Sequence, residues 1–216
     1  MDYLIVTLYL VTAGIHIYAC GSRNRLMLRR VTKCALMPLL ALCYVLLAQT
    51  ISPFVLAAIF FGFAGDVFLL FTTHRWTFPA GIGAFAVGHV FYILCFLRIL
   101  PYAPTVYVWL GLGLFSAAYA GILMRYLWKG IPRKLKPPSV AYMLIIGSMA
   151  SCALVYAFYG AAPLRWLAGI GGLFFVASDS MLSIDAFHHP IRHRSIFVMS
   201  TYIAAQSLIV TSLTFD

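Results

Sequence analysis

Glutamate is absent from this chain, and its acids are five aspartates: Asp2, Asp66, Asp179, Asp185 and Asp216. Charged residues of both signs make up 9% of the 216 residues, against the ~25% typical of a water-soluble domain, which excludes that class. The chain also lacks C-x-x-C and any Cys/His cluster that would suggest a metal site. Cys20, Cys34, Cys43, Cys95 and Cys152 are scattered through apolar stretches. That scatter excludes a disulfide framework and gives no metal site, so the cysteines read as packing residues. The opening stretch MDYLIVTLYL has no basic residue; the positive charges follow the apolar run instead of preceding it. A cleaved leader is therefore not expected, and the first segment should remain as a helix.

What is present is apolar: 63% of residues are hydrophobic and the mean hydropathy is +0.97. Runs long enough to cross a bilayer fall at about 3–20, 34–51, 53–72, 79–99, 104–124, 139–160, 164–184 and 195–213. Continuous apolar runs that must satisfy their own backbone hydrogen bonds in lipid are helices, not barrel strands. The expected fold is all-α, one transmembrane domain over 1–216 with eight spans. A net charge of +10 then concerns topology and anionic lipid, and no nucleic-acid partner is expected. Of the 15 lysines and arginines, all but Arg98 and Arg165 lie in the connections after the first, third, fifth and seventh runs. By the positive-inside rule those connections face the cytoplasm and both termini face the other side, in a bacterial inner membrane or, in a eukaryote, the ER. A shift of 113 residues lays Asp66 on Asp179 and Leu69 on Leu182, which suggests two parallel four-helix halves with a site between them.

Asp66 in AGDVFLL and Asp179 in ASDSMLS are the two acids set inside apolar runs. Each is expected about 9 Å from the cytoplasmic end of its helix, so the two carboxyls can face each other in one layer. Neither has a Lys or Arg nearby in its own helix. A carboxylate in hydrocarbon costs several kcal/mol unless protonated, paired or hydrated, and marks function by default; the plainer alternative is a neutral Asp that hydrogen-bonds helix to helix. Burial beside a second carboxyl would leave a protonated acid next to an ionised base, which is acid/base equipment. His89, Tyr92, Tyr142, Tyr202 and Gln206 can join the same layer, or serve as satisfied core residues. The loop DAFHHPIRHRS (185–195) is not expected to bind metal; it reads as positive-inside charge or as a contact for lipid phosphate, with Asp185 pairing its bases.

The ordered stretches FAGDVFLL, AFAVGHVFYILCF, AYMLIIGSMA, GGLFFVASDSMLSIDAF and MSTYIAAQSLIV, preceded by VTKCALMPLL, resemble the successive signatures of the YhhN-like lysoplasmalogenase family. The resemblance implies an eight-helix hydrolase, without cofactor or metal, that cleaves the vinyl ether of lysoplasmalogen to a fatty aldehyde and glycerophosphoethanolamine or glycerophosphocholine. Its partners are then a lysophospholipid substrate and membrane lipid. The matching positions are Asp66 and Asp179 as catalytic pair and Lys33, His89, Tyr142, Tyr202 and Gln206 as substrate-binding residues. Vinyl-ether hydrolysis protonates carbon and passes through an oxocarbenium ion, so it needs one acid and one base, as glycosidases do. Gly65 beside Asp66 would leave room for substrate, which favours Asp179 as the acid. Two other classes use paired membrane aspartates. An intramembrane aspartyl protease would carry G-x-G-D, and GFAGD departs from it; a proton-coupled transporter would have broken helices, and the two aspartate-bearing runs have no internal proline.

The charge asymmetry is open to direct test. Single cysteines placed at 128–134 in a cysteine-free background should react with a membrane-impermeant maleimide from the cytoplasmic side, and labelling from the opposite face would reverse the orientation.

Overall fold

The computed structural model describes residues 2–70 and 76–216, and among these the chain forms eight α-helices. They are α1 (Asp2–Cys20), α2 (Leu26–Leu47), α3 (Pro53–Leu70), α4 (Thr77–Ile99), α5 (Val106–Leu127), α6 (Lys136–Tyr159), α7 (Trp166–Phe187) and α8 (Arg194–Thr214). All eight are long and apolar enough to cross a membrane, and the protein is a multi-pass integral membrane protein.

The largest departure from the sequence reading is α2. It begins at Leu26, eight residues before the expected start at 34, and ends at Leu47. Arg29, Arg30 and Lys33 are thus helical residues within its first turns, not loop charges. Long basic side chains can bury their stems and still carry their charge outward, so apolarity alone sets the boundary too late. Helix α6 begins at Lys136 rather than 139, with Pro137 and Pro138 in its first turn, where the missing N–H groups have no intrahelical partner to lose. Helix α7 runs on to Phe187. The end of the third run near 72 and the connection holding Arg75 lie outside the described residues.

Helix α3 packs along α4 and α7 along α8; α6 lies against α4, α5 and α7, and α8 closes onto α1 and α2. The core sits between these layers, with Ile146, Met149, Ala150, Ala153 and Tyr156 of α6 fully enclosed. Small residues set the close approaches. A Cβ at Gly171 would lie 2.8 Å from Ile209 Cγ1 and 2.9 Å from the Ala205 carbonyl oxygen, so α7 and α8 meet there almost backbone to backbone.

Asp185 fixes the turn from α7 to α8, as the sequence suggested. Its Oδ1 accepts the Ile191 N–H at 2.9 Å and its Oδ2 pairs with Arg194 Nη1 at 2.5 Å. His193, just before α8, has φ 58°, a left-handed conformation uncommon for a side-chain-bearing residue. The turn thereby presents Arg194 and Ser195 to the space between α2, α3, α7 and α8.

Candidate active site

Because α2 starts early, Lys33 lies seven residues inside the helix, roughly 10 Å from its start. From there its Nζ reaches Asp66 Oδ1 on α3 at 3.1 Å, with the two side chains only 14% and 2% exposed. The other carboxyl oxygen of Asp66 accepts the Tyr202 hydroxyl of α8 at 3.0 Å. The cation absent from the aspartate's own helix is supplied by a neighbour.

Asp179 on α7 is partnered differently. The Tyr142 hydroxyl of α6 donates to its Oδ2, and His89 Nε2 of α4 stands 3.7 Å from the same oxygen. Among the described residues no Lys or Arg forms an ion pair with it. His89 is buried, with its ring edge-on to Phe175 at 4.8 Å between centroids. Neither of its ring nitrogens has a hydrogen-bond partner among the described residues.

Both aspartates border one cavity of about 180 Å³, along with Lys33 and Tyr202. The structure thus brings together Lys33, Asp66, Asp179 and Tyr202 at the wall, with Tyr142 and His89 behind Asp179. Gln206 does not border the cavity itself: its side chain hydrogen-bonds the wall residue Tyr202, and its Oε1 accepts the Tyr92 hydroxyl at 2.6 Å, joining α4 to α8 one turn beyond Tyr202. The room expected at Gly65 is not there. A Cβ at that position would fall 2.7 Å from the Phe85 ring, so this glycine admits Phe85 and not a ligand. Of the 185–195 loop, Arg194 and Ser195 border the cavity; Arg192, His188, His189 and His193 do not.

Three wall residues escaped the sequence reading: His16, Cys20 and Arg29. His16 is fully buried, with Nδ1 2.8 Å from Thr32 Oγ1 and Nε2 3.6 Å from Cys20 Sγ, so it ties α1 to α2 just above Lys33. Arg29 lies one turn before Lys33 on the same helix face, a four-residue spacing visible in the sequence once the helix is started early enough. No ion pair joins Arg29 to a carboxylate among the described residues. The cavity therefore offers an uncompensated guanidinium at one end and two unequally partnered carboxyls within.

A family model described as the YhhN family matches residues 28–213. Lysoplasmalogenase TMEM86A of Homo sapiens is 31% identical over 170 residues, which cover 77% of this chain and 68% of that protein. Lysoplasmalogenase TMEM86B of Mus musculus is 33% identical over 132 residues, 61% of this chain and 52% of its own length. Lysoplasmalogenase of Mycobacterium tuberculosis (strain CDC 1551 / Oshkosh) is 29% identical over 157 residues, 70% and 56% respectively. The chain thus spans between about half and two thirds of these relatives' lengths. No solved structure matches it.

The Lys33–Asp66 pair has a consequence for stability. Removing one member leaves a buried charge without compensation, a loss of about 3–5 kcal/mol. Lys33→Met should therefore lower the thermal unfolding midpoint in detergent clearly, and Lys33→Met combined with Asp66→Leu should recover most of it. If the double variant is no more stable than the single one, the pair is not what holds α2 to α3.

Proposed function

This chain belongs to the YhhN family, and we propose that it is a lysoplasmalogenase that uses Asp179 as general acid and Asp66 as general base. The substrate is a lysophospholipid whose single chain is joined to glycerol through a vinyl ether, and water is the second reactant. The observation that carries the reading is the unequal partnering of two carboxyls on one cavity: Asp66 bears an ammonium at 3.1 Å, whereas Asp179 has only a phenol and an imidazole beside it.

Chemistry follows from that inequality. Asp66, held by the Lys33 ammonium and the Tyr202 hydroxyl, is assigned the role of base. Asp179, which forms no ion pair with a lysine or arginine among the described residues, is assigned the role of acid. Asp179 donates that proton to the alkene carbon distant from the ether oxygen, giving an oxocarbenium ion that the Asp66 carboxylate faces. Water adds to the oxygen-bearing carbon and passes a proton to Asp66, forming a hemiacetal. Collapse moves the hemiacetal hydroxyl proton to Asp179 and the Asp66 proton to the departing glycerol oxygen. The products are an aldehyde and glycerophosphoethanolamine or glycerophosphocholine, and both aspartates return to their starting states. His89, at 3.7 Å from Asp179, is within reach of it through one water. A shared proton between two close and equivalent acids, which aspartyl proteolysis requires, is not supported by a pair in which one member is bound to lysine.

Substrate phosphate is best matched by Arg29, which borders the cavity without a carboxylate partner, with Arg194 as second contact. In this reading Lys33 acts on the phosphate end only indirectly, because its charge is committed to Asp66. The basic end of the bundle faces the cytoplasm by the positive-inside rule.

Purified protein should release aldehyde from a lysoplasmalogen and leave the alkyl-ether analogue intact, because that analogue has no alkene to protonate and acts as an inhibitor. Asp66→Asn and Asp179→Asn should each lower turnover by about a hundredfold or more while folding is kept. In heavy water, turnover should slow and deuterium should appear at the aldehyde carbon next to the carbonyl. Near-normal turnover of either Asn variant in a monodisperse sample would remove that aspartate from the mechanism.

A further inference from the structure

Beyond Asp179 lies space that the reaction scheme leaves unused. A narrow gap of about 20 Å³ is bordered by Asp179, Leu182, Phe78, Ile82 and Tyr142. Asp179, Leu182 and Phe78 also border the 180 Å³ cavity on one side of it. On its other side, Phe78, Ile82 and Tyr142 border a slot of about 250 Å³ between α4 and α6. The three spaces thus share walls in sequence, with Asp179 at the first junction and Tyr142 at the second.

The slot has the chemistry of a hydrocarbon site. Pro79, Gly83 and Ala86 form its α4 side and Ala141 and Ile145 its α6 side. Pro79, Gly83 and Ala141 are exposed on the outside of the bundle, so the slot opens sideways onto the surface that faces lipid. A Cβ built at Gly83 would meet nothing within 4 Å. No lysine, arginine, histidine or aspartate borders the slot, whereas Arg29, Lys33 and Arg194 all border the cavity on the far side of Asp179. Polarity therefore runs in one direction, from guanidinium through the two carboxyls to apolar wall.

We propose that the slot between α4 and α6 receives the hydrocarbon chain of the substrate, and that Gly83, Ala86 and Ala141 set how long a chain is accepted. The inference rests on the lysoplasmalogenase reading and deepens it by fixing the substrate's direction: phosphate toward Arg29, vinyl ether at the aspartates, chain through the gap into the slot. A gap of 20 Å³ holds about one water, so Phe78 and Ile82, both only half-buried, move aside as the chain passes. Because the slot opens to lipid, the chain's far end needs no closed tunnel.

Two measurements test this. In the first, Gly83→Leu combined with Ala141→Leu fills the slot while leaving the residues around the aspartates untouched. The variant should lose roughly tenfold or more in kcat/KM for a long-chain lysoplasmalogen, as burial of a few methylenes is worth that much, and keep wild-type kcat/KM for a short-chain one. An equal loss for both lengths, or no loss for either, overturns the proposal. In the second, an uncleavable alkyl-ether lysophospholipid with a diazirine at the chain end should crosslink to peptides of α4 or α6 in the wild-type protein, and excess unlabelled lipid should suppress it. Labelling confined to α1, α2 or α8, or labelling that does not compete, places the chain elsewhere or marks bulk bilayer lipid and overturns the proposal. Competed labelling of α4 or α6 by a protein that releases no aldehyde from either chain length would retain the slot as a lipid site and defeat the hydrolase reading instead.

Discussion

A lysine and an aspartate joined inside an apolar bundle are the contact on which the rest of this structure turns. Either charge alone in this setting would cost several kcal/mol, so Lys33 and Asp66 must be brought together, at 3.1 Å, for either to be tolerated. That requirement fixes the geometry around it. Helix α2 has to extend toward the basic end far enough to carry Lys33, α3 has to face it with Asp66, and α8 has to supply Tyr202 for the second carboxyl oxygen. His16, held by Thr32 one residue before Lys33, then anchors α1 to the same spot. Three helices meet at this ion pair and its hydrogen bond, and the separate contact of His16 with Thr32 adds α1 beside them.

The same pair sets two chemically similar residues in different surroundings. One carboxyl stands beside an ammonium and the other beside a phenol, and glycosidases likewise set two acids in different surroundings to run acid and base steps. Here the asymmetry lies across helices: α2 and α8 serve Asp66, α4 and α6 serve Asp179. Helix α4 also holds Gln206 of α8 through Tyr92, so the two groups of helices are cross-braced one turn beyond the site. Gln206 itself does not border the cavity.

Much of this was legible in the residues. Apolar runs broken by charge and proline gave the eight helices, because in lipid length and hydropathy decide nearly everything about a span. Asp66 and Asp179 stood out because each is alone in an apolar run. What the pattern hid was of two kinds. Arg29, and the helical placement of Lys33, were hidden by charge: a criterion built on apolarity stops α2 short, although both residues fit one helical face and the side chains of the first turns can carry their charge to the polar boundary. Gly65 was hidden because a glycine admits either a ligand or a neighbouring ring, and only the position of Phe85 on α4 decides between them. His16 belongs to the first kind in a weaker form, since its partner Thr32 lies in the turn of α2 that the apolar criterion left out.

The depth of the site reconciles two demands that oppose each other. Hydrolysis consumes water and leaves a water-soluble glycerophosphodiester, yet the aldehyde and the uncleaved chain belong in lipid. Asp66 lies four residues from Leu70, the last described residue of α3, and Asp179 eight residues from the end of α7, about 6 and 12 Å along their helices. At that depth the cavity reaches Arg29, Arg194 and Ser195 on its polar side, while the slot between α4 and α6 has no charged residue in its wall. A pair placed at the bilayer centre would lose its water, and one placed in the loops would lose its chain. The two carboxyls therefore sit at the depth where α2 can still support a lysine beside one of them.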